Sequence, residues 1–129
     1  MRRSNQTVFN EFLPLGTTSS SPAYTSAELN AKLVHFDQMG IQAVITNVGG
    51  GTIGTLTVTL QHSADGRNWS DTGTTVTTST LSTTTVNLAY ANWLGSSSVL
   101  LGYARFQMYF SNSTTSAHVH LLVTQRDQS

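Results

Sequence analysis

The stretch Leu56-Thr-Val-Thr-Leu-Gln-His-Ser-Ala-Asp-Gly-Arg-Asn-Trp69 constrains the fold more than any other part of the chain. Leu56, Val58 and Leu60 point one way, and Thr55, Thr57 and Thr59 point the other. This is the period of a half-buried β-strand. Asp65-Gly66 then supplies a tight turn with positive backbone angles, and Trp69 opens the next strand.

Similar runs recur along the sequence. Strands are expected over Lys32 to Asp37, Gly40 to Val48, Thr55 to Ser63 and Trp69 to Thr78. Thr83 to Ala89, Val99 to Ser111 and Ala117 to Gln125 follow. Gly49-Gly-Gly51 and Gly54 read as a flexible connection, Tyr90 to Ser98 as a longer loop, and Asn112 to Ser116 as a turn. Ser26 to Leu29 could form one helical turn. Seven or eight short strands with turns between them predict an all-β fold, a single antiparallel β-sandwich of jelly-roll or immunoglobulin-like topology. Its expected core is Ile41, Ile45, Leu56, Val58, Leu60, Trp69, Phe106, Met108, Val119, Leu121 and Val123.

Residues 1–28 differ from the rest. Thr7 to Leu13 could be a short strand, and Pro14 to Pro22 reads as an extended linker. The expected division is an extended N-terminal arm over 1–28 and a sandwich over 29–129. The arm is expected to anchor on another subunit through Phe9, Phe12 and Leu13, adding a strand to a neighbour's sheet edge.

Charged residues make up only 9% of the 129-residue chain, against about 25% in an average soluble protein. Ser and Thr hydroxyls take their place on the strand faces. The formal net charge is +0, so attraction to nucleic acid or an anionic membrane is not expected. There are no cysteines, which excludes disulfides and thiolate metal sites. The basic pair Arg2-Arg3 has no apolar run behind it, so no signal peptide is expected, and folding is expected in the cytoplasm where the chain is made. Asn5, Asn68 and Asn112 fit a glycosylation sequon, matches read as chance without a secretory signal.

Chemistry-bearing patterns are sparse. Six acidic residues show no catalytic pairing, and no serine lies in a Gly-x-Ser-x-Gly elbow. No enzyme activity or cofactor is expected. Gly49 to Gly54 lacks the lysine and following helix of a phosphate loop. His118 and His120, at i and i+2 on the last strand, could share a metal. No Asp, Glu or Cys lies near them in sequence, and two ligands alone rarely make a site, so no metal site is expected. Tyr103, Arg105, Gln107 and Tyr109 share the face opposite Phe106 and Met108. Tyr103, Arg105 and Tyr109 are candidate interface residues, since Tyr and Arg are enriched at interfaces.

The segment Leu60-Gln-His-Ser-Ala-Asp-Gly-Arg-Asn-Trp-Ser-Asp-Thr-Gly73 resembles a pattern in small virion proteins of tailed bacteriophages. These carry a strand, then Ser-Ala-Asp-Gly, then Trp, and a later strand comparable to Gly102-Tyr-Ala-Arg-Phe106. The resemblance covers residues 40–125. It implies a non-enzymatic capsid decoration (cement) protein located in the virion. The implied partners are the major capsid protein or other virion subunits, in a homo-oligomer for which a trimer suits local three-fold positions. The alternative is a carbohydrate- or receptor-binding module of a tail or fibre, which would need Trp93, Tyr90 or neighbours exposed in a groove.

Overall fold

A computed structural model describes residues 3–19, 24–25, 38–82, 87–94 and 103–126. Eight strands follow in chain order: β1 (Arg3–Leu13), β2 (Tyr24–Thr25), β3 (Gln38–Gly49), β4 (Leu56–Ser63), β5 (Ser70–Thr77), β6 (Asn87–Leu94), β7 (Tyr103–Phe110) and β8 (Ser116–Arg126). They form two four-stranded sheets, in the orders β1-β8-β3-β6 and β2-β7-β4-β5. Every pairing is antiparallel. The first and last strands are neighbours, and the chain crosses between sheets at most connections. This is the eight-stranded jelly-roll order, and an immunoglobulin sheet, built A-B-E-D, cannot accommodate it.

Alternation builds the core. β7 shows one face to the interior through Ala104, Phe106, Met108 and Phe110, all at most 1% exposed. Leu56, Val58 and Leu60 of β4 lie directly opposite Phe110, Met108 and Phe106. The facing sheet contributes Ile41, Ala43 and Ile45 from β3 and Ala117, Val119, Leu121 and Val123 from β8. Each fully buried Val, Leu, Ile, Phe or Met among them stabilises the fold by about 1.5–3 kcal/mol.

The structure corrects the division at residue 28. β1 pairs with β8 from Arg3↔Arg126 to Leu13↔Ala117, as part of the sandwich. Val8, Phe9 and Leu13 are buried in the chain's own core, and Phe9 meets the Tyr24 ring edge-on with centroids 6.3 Å apart. Phe9 and Leu13 therefore cannot anchor an arm on another subunit. The register shifts between Thr7 and Phe9. This bulge lets two successive residues, Val8 and Phe9, face inward, which strict alternation would not suggest.

Three local expectations also change. Asp65-Gly66 is not a two-residue turn, because Gln61 pairs with Asp71 and His62 with Ser70, leaving residues 64–69 as the connection. Of the two, only Gly66 has a positive φ, 76°. The stretch Tyr90 to Leu94, read as loop, belongs to β6. The Gly49–Gly54 connection is tied down rather than free. Gly54 N donates to Thr115 Oγ1 at 2.8 Å, and Thr114 Oγ1 donates to the Thr52 carbonyl at 2.7 Å. Gly50 has φ 129°, and a Cβ there would collide with the Thr114 carbonyl oxygen. The strand expected at Lys32 to Asp37 and the helical turn at Ser26 to Leu29 lie outside the described residues, as do residues 83–86 and 99–102 of two other expected strands.

Candidate functional site

The outer face of the β2-β7-β4-β5 sheet is built by the same alternation that fills the core. Tyr103, Arg105, Gln107 and Tyr109 of β7 all point outward and are half-buried. Cross-strand register then sets their neighbours: Gln61 lies opposite Arg105 on one side and Asp71 on the other. Thr59 lies opposite Gln107 and Thr75, and Thr57 lies opposite Tyr109 and Thr77.

Arg105, Gln61, Asp71 and Gln107 form one connected network. Arg105 Nε donates to Gln61 Oε1 at 2.9 Å. Gln61 Nε2 donates to Asp71 Oδ1 at 2.9 Å and reaches Gln107 Oε1 at 3.5 Å. Gln61 is only 8% exposed, so its amide is fixed on both sides by charged partners. Such bonds are stronger than neutral ones. The Arg105 guanidinium carbon lies 4.3 Å from the Trp69 ring centre, a cation–π contact. Trp69 was expected in the core, but it is half-buried at the rim of this face. The tryptophan ends the 64–69 connection rather than starting the strand, so it does not share the inward register of β5.

The connection itself is held by Asp65. Its Oδ1 accepts the backbone N–H groups of Arg67 and Asn68, both at 2.9 Å, and the Ser63 hydroxyl at 2.8 Å. Its Oδ2 accepts Asn68 Nδ2 at 2.7 Å. The Asn68 and Arg67 amides, then the side-chain donors, hold the carboxyl well below the usual carboxylate range. The Tyr103 ring lies against Gly66, so this loop packs on the end of β7.

Of the expected interface residues, the structure brings Tyr103, Arg105 and Tyr109 onto one face. Phe12 lies elsewhere, 49% exposed on the other sheet opposite His118. Gln61 and Asp71 complete the site and were not foreseen as parts of it, and Trp69, expected in the core, joins them. The available signal was the hairpin register, which sets Gln61 between Asp71 and Arg105. The Tyr90 and Trp93 side chains lie outside the described set.

On the outer face of the other sheet, His118 Nε2 meets Asn10 Oδ1, and His120 Nε2 lies 3.0 Å from Thr7 Oγ1. Among the described residues, no group of three His, Cys, Asp or Glu side chains is placed to hold a metal ion. No described helix is long and apolar enough to cross a membrane.

No protein-family model and no curated protein matches the sequence. Solved structures do share the fold. The PBSX exported protein XepA superposes with a TM-score of 0.59 at 11% identity, over 98% of this chain and 38% of XepA. The VP2 subviral particle of infectious bursal disease virus gives 0.59 at 13% identity, over 98% of this chain and 33% of VP2. A carbohydrate-binding module specific for non-crystalline cellulose, CBM28, gives 0.53 at 8% identity, over 93% and 74%. At these identities the likeness defines the class, a β-sandwich domain, and nothing finer.

Proposed function

We propose that the chain is a non-enzymatic structural protein of a bacteriophage particle, a decoration subunit that binds the capsid surface through the outer face of β7. The observation that carries this reading is the cluster of Tyr103, Arg105, Tyr109 and Trp69 on one sheet face, around a hydrogen-bonded Gln61–Asp71 pair. Aromatic and arginine side chains are what protein interfaces concentrate. Their fixed geometry lowers the entropy lost on docking. The sequence resemblance to phage virion proteins and the occurrence of this sandwich in a viral particle protein support the reading. The partners are the major capsid protein or other virion subunits, and the location is the virion. The sparse charge and hydroxyl-rich surface suit a subunit held in an assembly, a homo-oligomer such as a trimer. Co-sedimentation of the purified protein with heads of the encoding virus tests it: saturable binding is expected, and its absence would end the proposal.

One observation favours a second reading, a carbohydrate-binding module. The half-exposed Trp69 ring sits beside amide and carboxylate groups already fixed in place, the combination that stacks and hydrogen-bonds a sugar. Glycan-array binding that disappears in Trp69→Ala would support this reading over the first.

A further inference from the structure

We infer that Asp65-Gly66 is a latent modification site, a spontaneous isoaspartate step that the folded 64–69 connection holds closed. It is the one place in the sequence where Asp or Asn precedes Gly. Glycine has no side chain to shield its backbone nitrogen, so this step is the one most open to attack on the preceding carboxyl group. The fold has a use for both residues. Gly66 has φ 76°, which a side chain rarely adopts. Asp65 is the acceptor around which the connection turns.

The reaction needs a geometry that the loop withholds. Gly66 N must bond to Asp65 Cγ, while the amide hydrogen and a carboxyl OH leave as water, closing a succinimide ring. Water then opens the ring. Opening at Cγ restores aspartate, and opening at the backbone carbonyl of residue 65 leaves isoaspartate, whose main chain runs through Cβ and Cγ. In the folded chain the nucleophile is turned elsewhere, since Gly66 N donates to Ser63 Oγ at 2.9 Å. The electrophile is held as well. Oδ1 of Asp65 accepts the N–H groups of Arg67 and Asn68 and the Ser63 hydroxyl, and Oδ2 accepts Asn68 Nδ2. These bonds aim the carboxyl group at residues 67 and 68 rather than at its own neighbour. They also hold it below the usual carboxylate range, and an ionised carboxylate is a poor electrophile. One buried hydroxyl, on Ser63, thus ties down both reacting groups.

The site opens only when the connection opens. The product cannot close again, because its carboxylate sits on Cα and its main chain is one carbon longer. Chains that have opened or unfolded are marked irreversibly. The connection ends at Trp69, whose ring meets Arg105 at 4.3 Å, so a modified chain loses the rim of the β7 outer face.

The test incubates the full chain near neutral pH, folded and in guanidinium chloride. Isoaspartate is counted by enzymatic methyl labelling and located by peptide mapping. The folded chain should form it at residue 65 at least about tenfold more slowly than the unfolded chain, as the charged hydrogen bonds that must break require. Ser63→Ala frees the Gly66 N–H, and Asn68→Ala, at an exposed position, frees Oδ2. Each should speed the reaction in the folded chain and leave the unfolded rate unchanged, with circular dichroism checking the fold. Equal rates in the folded and unfolded wild-type chain would overturn the inference. So would an unchanged folded-state rate in whichever of the two variants folds.

Discussion

Arg105 stacks over the Trp69 ring at 4.3 Å while its Nε hydrogen-bonds Gln61. One guanidinium thus joins the centre of β7 to the loop that ends at Trp69, and through Gln61 to Asp71 on the edge strand. The candidate binding face is held together by the group that also gives it its charge.

Arg105→Ala should therefore loosen the 64–69 connection as well as remove a contact residue. A cation–π contact and a charged hydrogen bond at a half-exposed site are together worth about 1–2 kcal/mol. Urea unfolding should show that loss, and tryptophan fluorescence of the native state should shift. Arg105→Lys should recover little, since an ammonium cannot both stack flat and bond Gln61.

Deleting residues 2–13 should unfold the protein rather than free it from its partner. Val8, Phe9 and Leu13 are buried in the core, and three such side chains contribute about 5–9 kcal/mol of a total margin of about 5–15 kcal/mol. Loss of β1 would also uncover β8 along its length. Circular dichroism of the truncated chain decides the matter: a native β spectrum would show that β1 is dispensable.

Asp65 predicts an acid-sensitive loop. Its folded pKa is depressed below the ordinary 3.8, so its contribution is present above pH 3.8 and is lost as pH falls through the folded value. Asp65→Asn should be less stable than the wild-type protein at neutral pH. The difference should shrink as the pH is lowered below 3.8. A difference independent of pH would mean that the loop is held by something else.

Gly50→Ala should destabilise through the tied end of the sandwich. The left-handed conformation alone costs about 1–3 kcal/mol for a side chain, and the collision with the Thr114 carbonyl adds to it. Gly51→Ala, one residue on, has open space around its Cβ position and should cost far less in the same thermal melt.

The strands of the core were legible because Leu56, Val58, Leu60, Phe106 and Met108 keep a strict period of two, which only a half-buried strand requires. The strand at Thr7 to Leu13 was legible too, but its place inside the sandwich was not, because the bulge at Val8 breaks that period and because its partner, β8, lies at the other end of the chain. The tyrosines and Arg105 of the candidate face followed from alternation along β7. Gln61, Asp71 and Trp69 did not, since their roles depend on the hairpin register. That register is set by the Asp65-capped loop rather than by the two-residue turn that Asp-Gly suggested.

Association through the outer face of β7 is the central claim, and quantitative binding to virus heads tests it most directly. Wild-type protein and the Tyr103→Ser/Tyr109→Ser variant, which leaves the Arg105 network in place, would be titrated against heads of the encoding virus lacking the protein. The expected result is saturable wild-type binding that weakens by at least about tenfold in the variant, as loss of aromatic anchors does at interfaces. Equal binding by the two proteins, or none by the wild type, would contradict it.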